Sequence, residues 1–470
     1  MTNAQFTWPT LQPKDLILVL ICALVGVGVA VVAGLKPILV ALAVVGVLGA
    51  AFIVMQFELA VLTLLVMRSS LDILTTAQIP AALALVIDGV ALLYLFFTLL
   101  QRKPVQGDWF LWVFAGWVLL MGCWPLFAGL GFFDSYLVAD EAFREWTRML
   151  SLVLIYFLVM QLKDKVSPRQ LLSYLLLALV IPLGVGLVEV FTVRGRIAST
   201  LTHPDALADF LVIFVGLLIW HYRQTKQRRW LLLLVPAGVV FFKTGALTGF
   251  VMMLGFLAVY ALFTLKPRNL LFGAAAVVVF LGVFFSTEVG QRRLDKLQNT
   301  PLFNSTLSFS SAANLPEGNS FNWRLSQWTF LVVAWQKAPV LGYGLRTADE
   351  VSPYGISAHN VYLMMLVETG VVGFTLFLGL LGAIAARLTQ LWRQALPGSD
   401  QRELCQVLIA VFAGLLVAMI ADNVWNYTTF WFYWWTMLAV AGWHWPKTAP
   451  LLVQRAAKSD RKLLFTSSPK

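Results

Sequence analysis

Apolar runs of about 20 residues, the length that crosses a hydrocarbon core, recur from one end of this 470-residue chain to the other and are separated by short polar connections. The pattern predicts membrane-spanning helices near 16–35, 37–56, 81–100, 109–131, 146–162, 170–191, 206–221, 230–242, 245–265, 269–286, 361–386, 404–421 and 427–446. The stretch 57–68 is apolar but short, and reads as a thin span, a re-entrant piece or a continuation of its neighbour. Merging or keeping the short segments around 37–68 and 230–265 gives about 12 to 14 helices. The expected fold class is therefore an all-α polytopic membrane protein, with no internal repeat.

One segment breaks the rhythm. From about Glu288 to Ser357 the chain leaves the membrane, carrying Arg292, Arg293 and Lys296, a Ser/Asn/Thr-rich stretch and an amphipathic run from Phe321 to Trp335. Arg324, Trp328 and Trp335 predict a helix along the interface, and the Pro and Gly of Ala338-Pro339-Val340-Leu341-Gly342-Tyr343-Gly344 predict a tight turn. Loops of this size tend to carry function. This one leads to His359, one of four histidines in the chain, where a polar loop meets a membrane helix. The organisation reads as helices over 1–286 with an arginine-bearing loop near 192–205, a large loop over 287–358, C-terminal helices over 359–446 and a basic tail over 447–470.

Composition agrees, with 60% hydrophobic and 12% charged residues. The formal charge of +11 would suit a nucleic-acid partner, but its distribution argues against one. Lys and Arg gather in alternate connections (Arg102 and Lys103; Lys163, Lys165 and Arg169; Arg223 to Arg229; Lys266 and Arg268; Arg393 and Arg402), which places those connections and the tail in the cytoplasm. The basic balance reports topology, with some attraction to anionic lipid. Cys22, Cys123 and Cys405 all fall within predicted spans and form no zinc or disulfide pattern. The first apolar run, Leu16 to Leu35, is too long for a signal core and reads as an anchor.

Arg194 and Arg196 lie on the opposite, non-cytoplasmic side, where arginine is disfavoured. Guanidinium forks match phosphate oxygens, so a phosphorylated ligand at that surface fits them.

At these places the chain resembles the O-antigen ligase and polymerase superfamily, bacterial membrane glycosyltransferases that take a glycan from undecaprenyl pyrophosphate on the periplasmic face. Gly195-Arg196 through Thr202-His203-Pro204-Asp205-Ala206-Leu207-Ala208 is similar to the family's Arg-x-x-Gly-Thr-Phe-x-Asn-Pro-Asn-x-Leu-Ala segment. Trp323-Arg324 through Gly344, then His359-Asn360-x-Tyr-Leu and Glu368-x-Gly370-x-x-Gly373, resembles its large periplasmic loop and following helix. Thr244-Gly245-Ala246-Leu247-Thr248-Gly249 departs from the family's Thr-Gly-Ser-Arg-Thr-Gly, losing a serine and an arginine, with Lys243 as a neighbouring positive charge.

The resemblance implies a GT-C-like fold and a metal-independent inverting glycosyltransferase, without a cofactor, in the bacterial inner membrane with its active site facing the periplasm. Such transfer needs positive charge on the leaving diphosphate and a base for the acceptor proton. Arg196 and Arg324, backed by Arg194 and Lys243, are the expected diphosphate-binding residues. His359 is the expected base, since an imidazole accepts a proton at neutral pH, and Asn360 and Tyr362 are the candidates for holding sugar hydroxyls. The expected partners are an undecaprenyl pyrophosphate-linked glycan donor, a lipid A core or glycan acceptor and membrane lipids, with no nucleic acid. Ligation of O-antigen to lipid A core is the first reading and extension of a lipid-linked glycan by a polymerase the second.

Each residue has a plainer reading as well. His359 would then cap or anchor a helix, Arg196 and Arg324 would touch headgroups or form structural pairs, and Tyr362 would be an interfacial anchor. Arg148 pairs with Glu145, and Asp88 within its span takes a structural partner. His203 serves polar positioning, His221 and His444 are interfacial, and the cluster from Trp425 to Trp435 forms an aromatic belt. A transporter or flippase of a lipid-linked or anionic substrate is the reading from another class, but paired broken helices in symmetric halves are missing. No phosphate loop or zinc-protease motif supports a pump or a metalloprotease.

Overall fold

The computed structural model describes residues 55–73, 79–133, 137–266, 270–298, 320–352, 355 and 357–446. The predicted spans at 16–35 and 37–56, except Met55 and Gln56, lie outside these residues, as do the Ser/Asn/Thr-rich stretch and the basic tail. In chain order the helices are α1 (Phe57–Leu71), α2 (Ile79–Leu100), α3 (Trp109–Met121), α4 (Cys123–Gly129), α5 (Leu137–Met160), α6 (Pro168–Leu175), α7 (Val180–Thr192), α8 (Pro204–Thr225), α9 (Arg229–Thr244), α10 (Leu247–Thr264), α11 (Leu270–Ser286), α12 (Glu288–Gln298), α13 (Ser320–Trp335), α14 (Ala348–Val351), α15 (Val361–Gln394), α16 (Asp400–Ala418) and α17 (Thr428–Ala441). No strand occurs among the described residues.

Among the described residues, six segments are long and apolar enough to cross a membrane: Trp109–Gly129, Pro168–Thr192, Pro204–Thr225, Leu247–Thr264, Val361–Gln394 and Asp400–Ala418. The chain is an all-α polytopic membrane protein. The short apolar stretch at 57–68 is a helix of its own, α1. The expected span at 170–191 is interrupted by a 3-10 turn at Leu176–Leu179.

Two helices sit at the centre. A helix apolar on every face belongs in the middle of a bundle, and α8 is buried almost without interruption from Asp205 to Leu218. The other is α17, buried from Thr429 to Ala441. Its rings fill the bundle instead of forming the aromatic belt expected from composition. Trp431, Trp434 and Trp435 have no exposed surface, and Trp435 packs at 4.3 Å on Phe114 of α3 and at 5.5 Å on Trp431. Large flat side chains gain more from ring contacts inside a bundle than from a half-wet interface. His221 is likewise buried rather than interfacial, with Nε2 3.3 Å from the Leu172 carbonyl oxygen. α10 and α16 approach closely at Gly255 and Gly414, where an added Cβ would strike the facing backbone.

The long helix α15 is broken at Gly370, whose φ of 62° and ψ of −169° belong to a region open essentially to glycine alone. The turn predicted at 338–344 fills the break. Tyr343 and Gly344 amides donate to the Val367 and Glu368 carbonyls at 3.1 and 2.8 Å, and Val371 and Val372 amides donate to the Pro339 and Val340 carbonyls at 2.9 and 3.2 Å. These bonds replace those lost at the break and lock the end of α13 onto α15. Trp124 of α4 secures the same turn, donating from Nε1 to the Leu341 carbonyl at 2.8 Å.

Several buried charged groups have partners, which lowers the cost of placing them in a membrane interior. Arg148 forms an ion pair with Glu145 and donates to the Trp425 carbonyl at 2.6 Å, and Trp425 Nε1 donates to Glu145 at 3.2 Å. This knot fastens α5 to the connection between α16 and α17. Asp88 accepts from the Ser151 hydroxyl at 2.7 Å.

Candidate functional site

His359 lies in the segment 357–360, which is clamped between α13 and the α16–α17 connection. Gln327 and Trp328 of α13 donate to the Ser357 and Ala358 carbonyls at 3.1 and 2.8 Å. From the other side, Asn423 Oδ1 accepts the His359 amide at 2.6 Å, and the Met419 carbonyl accepts the Val361 amide at 2.8 Å. His359 has a φ of 47°, a left-handed conformation that costs a side-chain-bearing residue about 1 to 2 kcal/mol. The clamp imposes it, and strain of this kind concentrates at functional sites.

The imidazole is mostly enclosed. Trp323 packs edge-on at 5.3 Å, and Nδ1 has no hydrogen-bond partner among the described residues but lies 4.0 Å from Asp422 Oδ1. Burial, the Arg324 guanidinium and His203 push its pKa down to about 4 against the pull of Asp205. The ring is therefore a neutral proton acceptor at pH 7.

Asp422 is held in place by Thr248 Oγ1 at 2.8 Å, the Tyr427 hydroxyl at 2.9 Å and the Asn423 amide at 2.7 Å. Burial and the Asp205 carboxylate raise its pKa to about 6, and those three donors oppose the rise. Sequence reasoning missed it. Its signal was an acid in the short connection between two apolar runs, a position where ionisable groups carry a burial cost.

Arg196 donates from Nε to the Thr244 carbonyl at 2.7 Å and pairs through Nη2 with Asp205 at 2.6 Å. Thr244 opens the turn where the serine and arginine expected from the resemblance are replaced by Ala246 and Leu247. The guanidinium against this turn is that of Arg196. His203 caps α8 by accepting the Asp205 amide on Nδ1 at 3.3 Å, and its ring stacks at 5.8 Å on Tyr427.

Arg324 completes the group. Asp422, Asp205, Tyr427 and Arg196 all act electrostatically on it, and burial holds its pKa below the usual arginine range. Its Nε is closed off from solvent with no partner among the described residues. Of the expected diphosphate-binding residues, Arg324 acts electrostatically on His359 and Arg196 on Arg324, and Arg324 is the one with a buried donor unspent among the described residues. Lys243 is half-buried next to Thr244, and Arg194 is exposed on the connection leading to Arg196.

The candidates for sugar hydroxyls stand to one side. Asn360 caps α15, accepting the Leu363 amide on Oδ1 at 3.0 Å, and Tyr362 donates its hydroxyl to the Leu416 carbonyl at 2.9 Å. Both line a cavity of about 390 Å³ between α13 and α15. A larger cavity, about 590 Å³, lies on the far side of His203 and Tyr427, among α1, α2, α5, α8 and α17. Asp209, one turn below Asp205 in α8, is fully buried with both carboxyl oxygens unpartnered among the described residues.

No curated protein matches the chain. Residues 232–378, which contain Lys243, Arg324, His359, Asn360, Tyr362 and the Gly370 break, match the family model for O-antigen ligase, in agreement with the superfamily that the motifs resemble.

Proposed function

We propose that the protein transfers a glycan from an undecaprenyl diphosphate carrier to an acceptor hydroxyl at the periplasmic face of the bacterial inner membrane, and that the acceptor is a lipid A core sugar. The observation that carries this reading is a mostly enclosed imidazole, His359, 4.0 Å from Asp422 and within electrostatic reach of Arg324, an arginine with an unspent donor. In the reaction the acceptor oxygen attacks the anomeric carbon and the bond from that carbon to the diphosphate oxygen breaks. The bond electrons leave with the diphosphate, and the acceptor proton passes to His359 Nε2. A single displacement of this kind inverts the anomeric centre.

Asp422, 4.0 Å from Nδ1, stabilises the imidazolium that forms. Arg324 takes the charge that develops on the leaving diphosphate, where a preorganised donor out of water is most effective. Arg196 stiffens this arrangement through Asp205 and Thr244, and Arg194 and Lys243 add positive charge at the rim. These guanidinium and ammonium groups supply the neutralisation that a metal ion would otherwise provide.

Ligation to lipid A core is the first reading and polymerisation of a lipid-linked glycan the second; the family match supports glycan transfer of either kind. The test is to incubate purified protein with a lipid-diphosphate-linked glycan, with and without lipid A core, in the presence of EDTA. One glycan block joined to the core is the expected product. A lengthened lipid-linked chain would replace ligation by polymerisation, and loss of transfer in EDTA alone would remove the metal-free mechanism.

A further inference from the structure

Asp422 Oδ1 lies 4.0 Å from His359 Nδ1, and that nitrogen is closed off with no hydrogen-bond partner among the described residues. The gap is about 1 Å too long for a hydrogen bond. A ring that takes the acceptor proton on Nε2 must carry its own proton on Nδ1, a tautomer ordinarily fixed by an acceptor on that side. Here the acceptor is close to the ring but not bonded to it.

Asp422 Oδ1 is filled from elsewhere. It accepts the Tyr427 hydroxyl at 2.9 Å and the Asn423 amide at 2.7 Å, while Oδ2 accepts from Thr248 Oγ1 at 2.8 Å. A carboxylate oxygen offers about two lone-pair sites, so a donor on the ring has no place there until one of the two leaves. The Asn423 amide is backbone and stays, because Asn423 Oδ1 also holds the His359 amide at 2.6 Å. The Tyr427 hydroxyl is a rotor, and a second acceptor lies within its reach, His203 Nδ1 at 3.4 Å. This nitrogen accepts the Asp205 amide at 3.3 Å and is therefore the unprotonated one of its ring. The two rings stack with 5.8 Å between centroids, so the hydroxyl changes partners without either ring leaving its place.

We propose that Tyr427 and His203 are positioning residues for the transfer step: the Tyr427 hydroxyl occupies Asp422 Oδ1 until His359 takes the acceptor proton, then turns to His203 Nδ1 and leaves that oxygen to the imidazolium. The proposal rests on the transferase reading above. A charged N–H is roughly twice as strong a donor as a neutral hydroxyl, so the exchange is favourable only once the ring carries its charge. The new bond is thus made on the way to the transition state and not in the ground state, which is where an interaction raises kcat. Tyrosine keeps its proton throughout. The only proton that changes owner is the one passing from the acceptor oxygen to Nε2.

The test uses the full-length protein in nanodiscs, isotopically labelled at the histidine ring nitrogens, with His359 assigned among the four histidines by its loss in His359→Gln. Tyr427→Phe removes the competing donor. At neutral pH its His359 Nδ1 proton is expected downfield of the wild-type position and protected from exchange, the signature of a bond to Asp422, with kcat for glycan transfer within about twofold of wild type. His203→Ser still caps α8 but is too short to receive the hydroxyl, and is expected to lower kcat about tenfold with KM unchanged. His203→Asn, whose Oδ1 takes the place of Nδ1, should return kcat to within about twofold of wild type. The double variant Tyr427→Phe/His203→Ser should recover in the same way, because no hydroxyl is left to displace. A His359 ring spectrum unchanged by Tyr427→Phe, or a double variant as slow as His203→Ser, would overturn the proposal. The spectrum is read without turnover, so a protein that transfers no glycan but shows the shifted proton would remove the transferase reading alone, and transfer with an unmoved proton would remove the proposal alone.

Discussion

His359 and Asp422 lie 4.0 Å apart and are pushed in opposite directions by a shared cause, burial. Burial disfavours whichever form is charged, so the imidazole loses its proton more readily than in water and the carboxyl holds its proton longer. The base form of His359 therefore persists down to about pH 4, well below the range of free histidine, while the Asp422 carboxylate is lost as pH falls through about 6. We expect kcat/KM for transfer to be level above neutrality, to fall first near pH 6 and to fall again near pH 4. In Asp422→Asn the plateau should drop about tenfold or more, as for an impaired general base, and the first limb should vanish, leaving only the one near 4. A pH–rate profile of the two proteins checks this, and an acid limb near 6 that survives in Asp422→Asn would assign it to another group.

At the level of elements, the site is held by an interlock between helices distant in sequence. The turn at 338–344 sits in the Gly370 break of α15, α13 hangs from that turn, and α13 in turn grips Ser357 and Ala358 beside His359. Gly370→Ala forces a side chain into a backbone region that costs about 1 to 3 kcal/mol and also drives a Cβ into the Val340 carbonyl. It should lower the thermal midpoint and abolish most transfer even though it touches no proposed catalytic group. Differential scanning fluorimetry with an activity assay checks this, and a wild-type midpoint would show that the interlock is dispensable. The sequence pattern disclosed the helices of this assembly, because runs such as 206–221 and 404–421 are long and apolar. It did not disclose the break, because 361–386 reads as one span in spite of Glu368 and Thr369, and the partners at 339–344 are recognised only once the chain has folded back.

For the whole molecule, two buried helices, α8 and α17, carry the pocket at one end of the bundle. His203 and Asp205 open α8, and Asp422 and Tyr427 lie in the connection that leads into α17. The sequence pointed to His359, Arg196 and Arg324 because each lies in or next to a recognisable motif. It did not point to Asp422, which lies 4.0 Å from His359 in the fold but far from it in the chain and so leaves no local pattern. Trp425 to Trp435 misled for a related reason: ring composition is the same in a lipid-facing belt and in a packed core, and only the contacts with Phe110 and Phe114 distinguish them. The central claim is that this pocket removes the acceptor proton through His359. The most direct measurement compares initial rates of glycan transfer to lipid A core by wild-type protein and His359→Gln, with binding of the lipid-diphosphate donor measured on the same samples. A loss of about 10² to 10⁴ in rate is expected, the range for a removed general base, with donor binding retained. A His359→Gln protein that transfers glycan at the wild-type rate would contradict it.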